Sequence, residues 1–340
     1  MNNHSPDDRR DRGVAWAGQQ LLQRDGMTTT VTWEPLQADA SMRRYFRGRH
    51  ADATLLLMDC PPSEGNLAVF TDIDERLRAA GVRAPRVHAA SHDDGFLLLE
   101  DFGDQLLREM LAADRGQYLL DLLLPTLAAM AQRCDAAGLP DFGATKLQQE
   151  LDLFTDWFVA RHLGANLDDG EQQAWLQLCT LLVDAAQSQP QCFVHRDFHS
   201  CNLLLLPGDE VGVIDFQDAV SGPVSYDLVS WLWDRYISWS RAQLEQWCEQ
   251  ARLALAPAIK PAQWQQYCDW MSLQRNLKIV GIFARLNYRD GKSHYLALLP
   301  RFASYVLDVA RRYPQLAFAA PMLERLLADV AASLNDGLPA

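Results

Sequence analysis

Lysine is scarce in this chain of 340 residues. Only four of its 31 basic residues are lysine, and the first of them is Lys146. Cationic contacts upstream of that position therefore depend on arginine. Acidic residues outnumber basic ones by 44 to 31, which gives a formal net charge of −13. This balance argues against a nucleic-acid-binding protein, because a polyanion needs clustered cations.

Disulfide, zinc and membrane signatures are also missing. The seven cysteines are odd in number, scattered and nowhere spaced as Cys-x-x-Cys, so neither a disulfide framework nor a zinc site is indicated. The longest apolar run, Leu119–Ala131, contains Asp121 and Pro125 and is too short to span a bilayer. Residues 1–12 contain no apolar stretch, and we interpret residues 1–27 as a tail and lead-in. We therefore expect a cytoplasmic protein that does not associate with membranes.

Two kinds of secondary structure follow each other along the chain. Between residues 28 and 103 short β-type segments dominate, and one helix pattern, from Glu64 to Ala80, interrupts them. Residues 104–340 are dominated by long amphipathic helix patterns, among them Leu147–Leu163 and Asp227–Ser240. Three short strands are set among those helices, at Cys192–Val194, Leu203–Leu206 and Val211–Ile214. The sequence thus predicts an α+β protein with a small sheet lobe (28–103) and a larger helical lobe (104–340) that carries a hairpin.

Three polar side chains flank the predicted hairpin. Asp197 and Asn202 are five residues apart on the loop that enters it, and Asp215 follows its second strand. Carboxylate and amide oxygens are hard ligands of the kind that Mg²⁺ prefers. The remaining carboxylate, Asp197, can orient an attacking hydroxyl and accept its proton. Turn capping is the alternative explanation for such residues, but their spacing between apolar strands favours a phosphoryl-transfer site.

The spacing His-x-Asp-x-x-x-x-Asn at residues 195–202, followed by Ile-Asp-Phe at 214–216, resembles the catalytic and metal loops of the protein-kinase-like superfamily. The form is that of aminoglycoside phosphotransferases and choline kinases. This resemblance implies a protein-kinase-like two-lobed fold and an ATP-dependent small-molecule kinase, with Asp197 as catalytic base and Mg²⁺ bound by Asn202 and Asp215. It also implies structural support of the catalytic loop by His195 and by Asp227, the latter as a helix N-cap.

Further segments resemble the bacterial anomeric kinases of N-acetylmuramate and N-acetylglucosamine, namely Asp39–Arg47, Asp197–His199, Asp215–Ala219 and Gln274–Lys278. This resemblance implies phosphorylation of the anomeric C1 hydroxyl of a free amino sugar in peptidoglycan recycling. The ligands would be the amino sugar and ATP, and no obligate protein partner is implied.

The small lobe departs from the kinase pattern at the expected phosphate site. No Gly-x-Gly-x-x-Gly stands between its first two strands, and no lysine lies on the third. We expect backbone amides, the Ser41 hydroxyl and an arginine to contact the phosphates instead. Arg44 is our first choice, with Arg43 and Arg47 next, although strand alternation puts Arg44 and Phe46 on the opposite side from the other two. A solvated strand face is the alternative reading of this cluster.

The remaining candidates follow from the resemblance and from residue chemistry. Adenine is expected to bond to the backbone around Glu100 and Phe102. An anionic sugar such as N-acetylmuramate would need a cation such as Arg161 or Arg275. The other candidate sugar contacts are His199 and Trp233, although His199 could simply pack beside the loop and Trp233 could belong to the core.

Two other functions stay open on the sequence alone. An aminoglycoside or amino-alcohol kinase would need an acidic cleft, and the net charge of −13 is compatible with one without locating it. A nucleotide-binding pseudokinase is favoured by the missing glycine loop and strand lysine. The complete catalytic and metal loops argue against a pseudokinase.

Overall fold

The structure is a computed structural model that describes residues 6–25, 31–36, 43–50, 53–63 and 65–333. The chain folds into two compact units, Met1–Leu106 with Leu203–Gln217, and Leu107–Asn202 with Asp218–Ala340. The predicted hairpin therefore belongs to the first unit and not, as expected, to the helical one. A single boundary after residue 103 does not describe this arrangement, because the first unit is discontinuous in sequence.

The first unit contains a five-stranded antiparallel sheet with the strand order β1-β2-β3-β5-β4. Its strands are β1 (Thr32–Pro35), β2 (Arg44–His50), β3 (Ala53–Asp59), β4 (Val87–Ser91) and β5 (Phe96–Glu100). Helix α2 (Leu67–Ala79) connects β3 to β4. It begins at Asn66, whose side chain accepts a hydrogen bond from the Ala68 N–H at 2.9 Å. The predicted pattern of strands with one helix is present, although residues 28–30 of the predicted first strand, Thr28–Trp33, lie outside the described residues.

Residues expected to form a tail are instead helix α1 (Pro6–Asp25). Ala17 and Leu21 are buried against the sheet face that carries Phe46 and Leu57. We call this face of the sheet the α1 face. At the start of the helix, the Arg9 guanidinium lies 4.8 Å from the centre of the Phe96 ring on the same face. The prediction of a tail was wrong. The first half of α1 is rich in charged residues, and the apolar stripe that packs on the sheet is too short to be recognised in the sequence.

The hairpin consists of β7 (Leu203–Leu206) and β8 (Glu210–Val213). Its backbone is tied to the first unit by hydrogen bonds from Val213 N–H to the Arg83 carbonyl at 2.8 Å and from Leu205 N–H to the Gln105 carbonyl at 2.9 Å. Gly212 lies under the Phe102 ring, so close that a Cβ at that position would be 2.6 Å from a ring carbon. These contacts explain why the hairpin packs with the sheet unit.

The second unit is mainly helical, with one small antiparallel sheet. The sheet pairs β6 (Gln191–Val194) with β9 (Val220–Pro223). The helices are α3 (Gly116–Arg133), α4 (Ala144–Leu153), α5 (Asp169–Gln187), α6 (Tyr226–Leu232), α7 (Arg241–Leu255), α8 (Pro261–Asp290), α9 (Leu299–Arg312) and α10 (Ala320–Ala332). A π-helix (Phe154–His162) continues α4, and short 3₁₀ turns lie at Leu107–Met110, Ser293–Leu298 and Pro314–Leu316.

Two helices of the second unit differ from expectation. The helix predicted from Asp227 to Ser240 ends at Leu232, because the backbone of Trp233 leaves the helical region. The single helix predicted from Leu147 to Leu163 is divided between α4 and the π-helix. Within the described residues, no helix combines the length and apolar character that crossing a membrane requires.

Candidate active site

The loop between β6 and β7 is held in place by one buried carboxylate. Asp227, in the first turn of α6, accepts hydrogen bonds from the backbone N–H groups of His195 at 2.7 Å and Arg196 at 3.0 Å. Arg196 has φ of +74°, a left-handed conformation that is costly for a residue with a side chain. The two hydrogen bonds stabilise this turn. Asp227 is not the predicted N-cap, because that position is occupied by Ser225.

His195 supports the same loop from within the core. It is fully buried, and its Nδ1 accepts a hydrogen bond from the Asp197 N–H at 3.3 Å. The Asp227 carboxylate is also buried, and burial raises the pKa of Asp227 to about 6. Together the two side chains fix the backbone that leads into Asp197.

Asp197 is half-buried in a positively charged environment. Burial acts to raise the pKa of Asp197, but the positive charges around it, with Lys278 first and Arg196 among the others, outweigh it and hold the pKa below its ordinary value. The carboxylate is therefore ionised at neutral pH. An ionised carboxylate can accept a hydrogen bond from a hydroxyl and orient its oxygen for attack.

Lys278 is the residue that sequence reasoning missed. It lies on α8 with its Nζ 3.0 Å from Glu150 Oε1, and Glu150 also accepts a hydrogen bond from Arg196 at 2.9 Å. The Tyr226 hydroxyl lies 3.2 Å from the same Nζ. A signal was present in the sequence, since the stretch 274–278 places polar residues in the buried middle of a long helix.

Asn202 and Asp215, the residues predicted to bind metal, belong to different units. The Asn202 side-chain amide donates to the Asp197 carbonyl at 2.9 Å, which orients its carbonyl oxygen away from that contact. Asp215 follows β8 with φ of +63°, and one of its carboxylate oxygens accepts a hydrogen bond from Gln217 at 3.0 Å. An amide carbonyl and a carboxylate are oxygen donors that fit a hard cation such as Mg²⁺.

Arg44 does not lie where a nucleotide contact was expected. Its side chain extends over the α1 face beside Phe46 and forms an ion pair with Asp59. Asp59 is only 1% exposed and also accepts a hydrogen bond from Arg9 at 2.6 Å. Arg44 is therefore part of the attachment of α1, on the face of β2 opposite to Tyr45, and our preference for it as the phosphate-binding arginine was misplaced.

Arg43 lies at the start of β2 on the other side of the sheet. It hydrogen-bonds to Tyr45, and burial raises the pKa of Tyr45 to about 12. Asp215 is close enough to Tyr45 to act on the same pKa. Arg43 is thus near a predicted metal ligand, whereas Ser41 lies outside the described residues.

The segment after β5 is rich in ion pairs. Glu100 accepts hydrogen bonds from both terminal nitrogens of Arg83, at 2.8 and 2.5 Å, and the same guanidinium lies 5.0 Å from the centre of the Phe102 ring. Arg47 forms an ion pair with Asp101 at 2.7 Å. The side chains of Glu100 and Arg47 therefore form ion pairs with residues of the first unit.

A cavity of about 180 Å³ in the second unit opens onto Asp197. Three predicted sugar contacts, His199, Trp233 and Arg275, line this cavity together with Asp197. Further polar lining comes from Arg196, Asp234, Arg235 and Lys278, and apolar lining from Ile279, Ile282, Phe283, Leu286, Tyr295 and Phe302. The fourth candidate, Arg161, does not belong to this lining; its guanidinium stacks 5.7 Å from the centre of the Tyr288 ring.

His199 is a neutral side chain in this cavity. An arginine nitrogen can only donate, so the 2.9 Å contact from Arg235 Nη2 requires a lone pair on His199 Nε2. Burial, together with the nearby Arg235 charge, lowers the pKa of His199 to about 4. His199 can therefore take part in hydrogen bonding near Asp197 without adding charge at neutral pH.

Comparisons with known proteins identify the class. A family model described as "Phosphotransferase enzyme family" matches residues 32–265, and the chain belongs to this family. The N-acetylmuramate/N-acetylglucosamine kinase of Pseudomonas aeruginosa is 40% identical over 86% of this chain and 88% of its own length. The enzyme of the same name from Pseudomonas putida is 37% identical over 94% of this chain and 97% of its own.

Solved structures show the same fold at low sequence identity. An ADP-bound aminoglycoside phosphotransferase superposes with a TM-score of 0.56 at 13% identity, covering 86% of this chain and 96% of its own. A choline/ethanolamine kinase family protein from Mesorhizobium loti gives a TM-score of 0.60 at 15% identity, covering 93% and 99%. The predicted fold class, an α+β protein-kinase-like fold, is confirmed.

Proposed function

We propose that this protein is an ATP-dependent kinase that phosphorylates the anomeric C1 hydroxyl of N-acetylmuramate and N-acetylglucosamine, a cytoplasmic step of peptidoglycan recycling. The observation that carries the proposal is Asp197, an ionised carboxylate on a braced loop at the wall of a cavity with polar and aromatic lining. The names of the two Pseudomonas relatives support the choice of sugar.

In the proposed reaction Asp197 accepts a hydrogen bond from the C1 hydroxyl and aims its oxygen at the γ-phosphorus. As the new C1–O–P linkage forms, the bond between the γ-phosphorus and its bridging oxygen breaks and ADP leaves. The hydroxyl proton passes to Asp197. Asn202 and Asp215 are the proposed Mg²⁺ ligands, and the metal would supply charge neutralisation at the phosphates.

The nucleotide contacts are a separate part of the proposal. We propose backbone groups around Glu100 and Phe102 for adenine and the Ser41 hydroxyl for the phosphates. Arg43 replaces Arg44 as the proposed cation, because it lies with Tyr45 on the face opposite to α1, where Asp215 is also near. Arginine suits this role since its guanidinium can bind two phosphate oxygens at once.

The charge of the cavity argues against a cationic acceptor. Aminoglycosides and amino alcohols carry ammonium groups and need carboxylates around them. In the lining of the cavity, four cations (Arg196, Arg235, Arg275 and Lys278) outnumber two carboxylates (Asp197 and Asp234). The proposed acceptor is therefore a neutral or anionic amino sugar.

The test is a panel of amino sugars, aminoglycosides and choline-like alcohols incubated with ATP and Mg²⁺. The position of the phosphate is read by ³¹P–¹H NMR, and phosphate at C1 of an amino sugar is expected. The Asp197→Asn variant should lose at least about 10²–10⁴-fold in kcat, because it cannot accept the proton. Its thermal stabilisation by ATP should stay unchanged.

A matched control is Asp184→Asn, which removes an exposed carboxylate on α5 in the same unit. This variant should retain wild-type kcat. Full activity of Asp197→Asn would contradict the assigned role, and ATP binding without transfer to any acceptor would identify a pseudokinase.

A further inference from the structure

Arg275 is a buried cation with an incomplete set of partners. Its side chain is on α8, only 6% of the residue is exposed, and its Nη2 donates to Ser230 Oγ at 2.9 Å. Its Nη1 is shielded from solvent and meets no acceptor in the described part of the chain. No carboxylate from the described residues forms an ion pair with it. Burying a charge without a counterion is costly, so a group that supplies one would bind strongly here.

Arg235 adds a second cation to the same wall of the cavity. Its Nη2 donates to His199, which is neutral and brings no negative charge. Both Arg235 and Arg275 are close enough to His199 to lower its pKa. Two guanidinium groups therefore converge on one neutral imidazole.

The other charges of the cavity compensate these two arginines only in part. Lys278 and Arg196 share Glu150 as their counterion. The Asp234 carboxylate accepts hydrogen bonds from the Ser200 N–H and hydroxyl at 3.1 and 2.8 Å and from the Tyr236 N–H at 2.8 Å, and it keeps its negative charge, as Asp197 does. The four cations of the lining therefore face three carboxylates, those of Glu150, Asp197 and Asp234. The wall formed by Arg235 and Arg275, which we call the arginine wall, thus carries surplus positive charge.

An anion at the arginine wall could be a carboxylate of the acceptor or a phosphoryl group of the nucleotide or product. The remaining lining favours the carboxylate. Trp233, Phe283 and Phe302 make much of the cavity apolar, which suits a sugar ring with a single negative charge better than a polyphosphate with its metal. The fork of an arginine also matches a carboxylate in its planar, two-bond geometry.

We propose that Arg275, assisted by Arg235, binds the carboxylate of an acidic amino sugar and thereby sets the preference for N-acetylmuramate over uncharged N-acetylglucosamine. This assignment rests on the proposed function, because it requires the cavity beside Asp197 to hold the acceptor. Arg275 acts here as a specificity-determining residue, and the proton transfer at C1 does not depend on it.

The test compares the two sugars as substrates of the Arg275→Met variant. Methionine keeps much of the side-chain volume and removes the charge. We expect kcat/KM for N-acetylmuramate to fall about 10- to 100-fold, since hydrogen bonds to a charged group are lost, while kcat/KM for N-acetylglucosamine and KM for ATP stay within about twofold. The control is Arg289→Met, which removes an exposed arginine from the end of the same helix and should leave both sugars unaffected.

A second measurement needs no variant, in case Arg275→Met does not fold. The methyl ester of N-acetylmuramate lacks the negative charge, so the wild-type enzyme should discriminate against it by the same factor. In the variant, the acid and the ester should react equally.

Equal losses for both sugars with a raised KM for ATP would assign the arginine wall to phosphoryl groups and overturn the proposal. Unchanged kcat/KM for the acid in the variant, or equal wild-type rates for acid and ester, would also overturn it. If the wild-type protein phosphorylates neither sugar, the proposed function itself fails, and that outcome differs from all the others.

Discussion

Lys278 places a positive charge beside the carboxylate proposed as the catalytic base. It is buried on α8 and shares Glu150 with Arg196, so its charge is held in place by an ion pair on one side. Among the charges that lower the pKa of Asp197 against the effect of burial, Lys278 is the largest contributor. The consequence is a base that is ionised well before neutral pH is reached.

We expect the Lys278→Met variant to shift the acidic limb of the pH profile of kcat/KM to higher pH. Lys278 favours the ionised form of Asp197, so its removal raises the pKa of that carboxyl, and a higher pH is needed to ionise it. The measurement is kcat/KM for an uncharged sugar between pH 4 and pH 8, a range that begins at about the ordinary pKa of an aspartate. The wild-type profile should show no acidic limb in this range, whereas the limb of the variant should enter it at the low end.

Two further variants separate charge from structure. Lys278→Arg keeps the positive charge and should bring the acidic limb back toward its wild-type position. Lys260→Met removes an exposed lysine at the N-terminus of the same helix and should leave the profile unchanged. An unshifted limb in Lys278→Met would show that Asp197 is not the group that titrates.

Single residues also show which parts of the site could be predicted from the sequence. Local spacing put Asp197 and His199 on one tight loop, and in the structure both line one cavity; their roles stay predictions. Arg44 was misjudged for a physical reason. Alternation correctly separated it from Arg43, but which face of β2 is covered depends on α1, and the sequence did not reveal that helix.

At the scale of elements, α1 decides which sheet face is buried. Its two internal glycines differ in surroundings. A Cβ at Gly13 would lie 3.0 Å from a ring carbon of Phe96 and 3.3 Å from a methyl of Leu57, whereas nothing lies within 4 Å of one at Gly18. Gly13 is therefore a close-packing position, and Gly18 is an exposed one where glycine only weakens the helix.

These surroundings predict opposite effects for the same substitution. Gly18→Ala should stabilise the protein by about 0.5–1 kcal/mol, the difference in helix propensity between the two residues. Gly13→Ala should lose that gain or become destabilising, because Phe96 must move to admit the methyl group. Urea denaturation followed by tryptophan fluorescence measures both, since Trp16 and Trp33 lie in this part of the fold.

The two variants serve as controls for each other, because they share a helix and a chemical change. Equal shifts in the urea midpoint would mean that α1 does not pack on the sheet as described. The expected tail would then be the better account of residues 1–27.

At the scale of the whole molecule, the first unit is formed by two separate segments of the chain. Secondary-structure type predicted the division near residue 103, and it failed for the hairpin because sequence patterns do not show which distant backbone groups pair. The bonds from Val213 to Arg83 and from Leu205 to Gln105 connect segments about a hundred residues or more apart. Such pairings, and the packing of α1 on the sheet, are long-range contacts. The local periodicity of a sequence does not indicate them.

Thiol reactivity is a property of the whole molecule, because it depends on how deeply the fold buries each cysteine. All seven cysteines lie within the described residues, and no disulfide links any two of them. Five are buried, and Cys192 and Cys201 are partly exposed. Burial raises the pKa of Cys192 to about 12, so its reactive thiolate is scarce at pH 8. Cys201, beside the proposed metal ligand Asn202, is therefore the site where labelling should begin.

We expect a thiol reagent at pH 8 to modify the native protein first at Cys201 and to count seven thiols after denaturation. The Cys201→Ser variant should lose the fast phase and keep the slow ones, while Cys192→Ser should keep the fast phase.

A reductant should not change the thermal unfolding midpoint, because no disulfide contributes to stability. Fewer than seven reactive thiols in the denatured protein, or a fast phase that survives in Cys201→Ser, would contradict this account. The first result would show a disulfide or a modified thiol, and the second would show that burial does not control thiol reactivity in this fold.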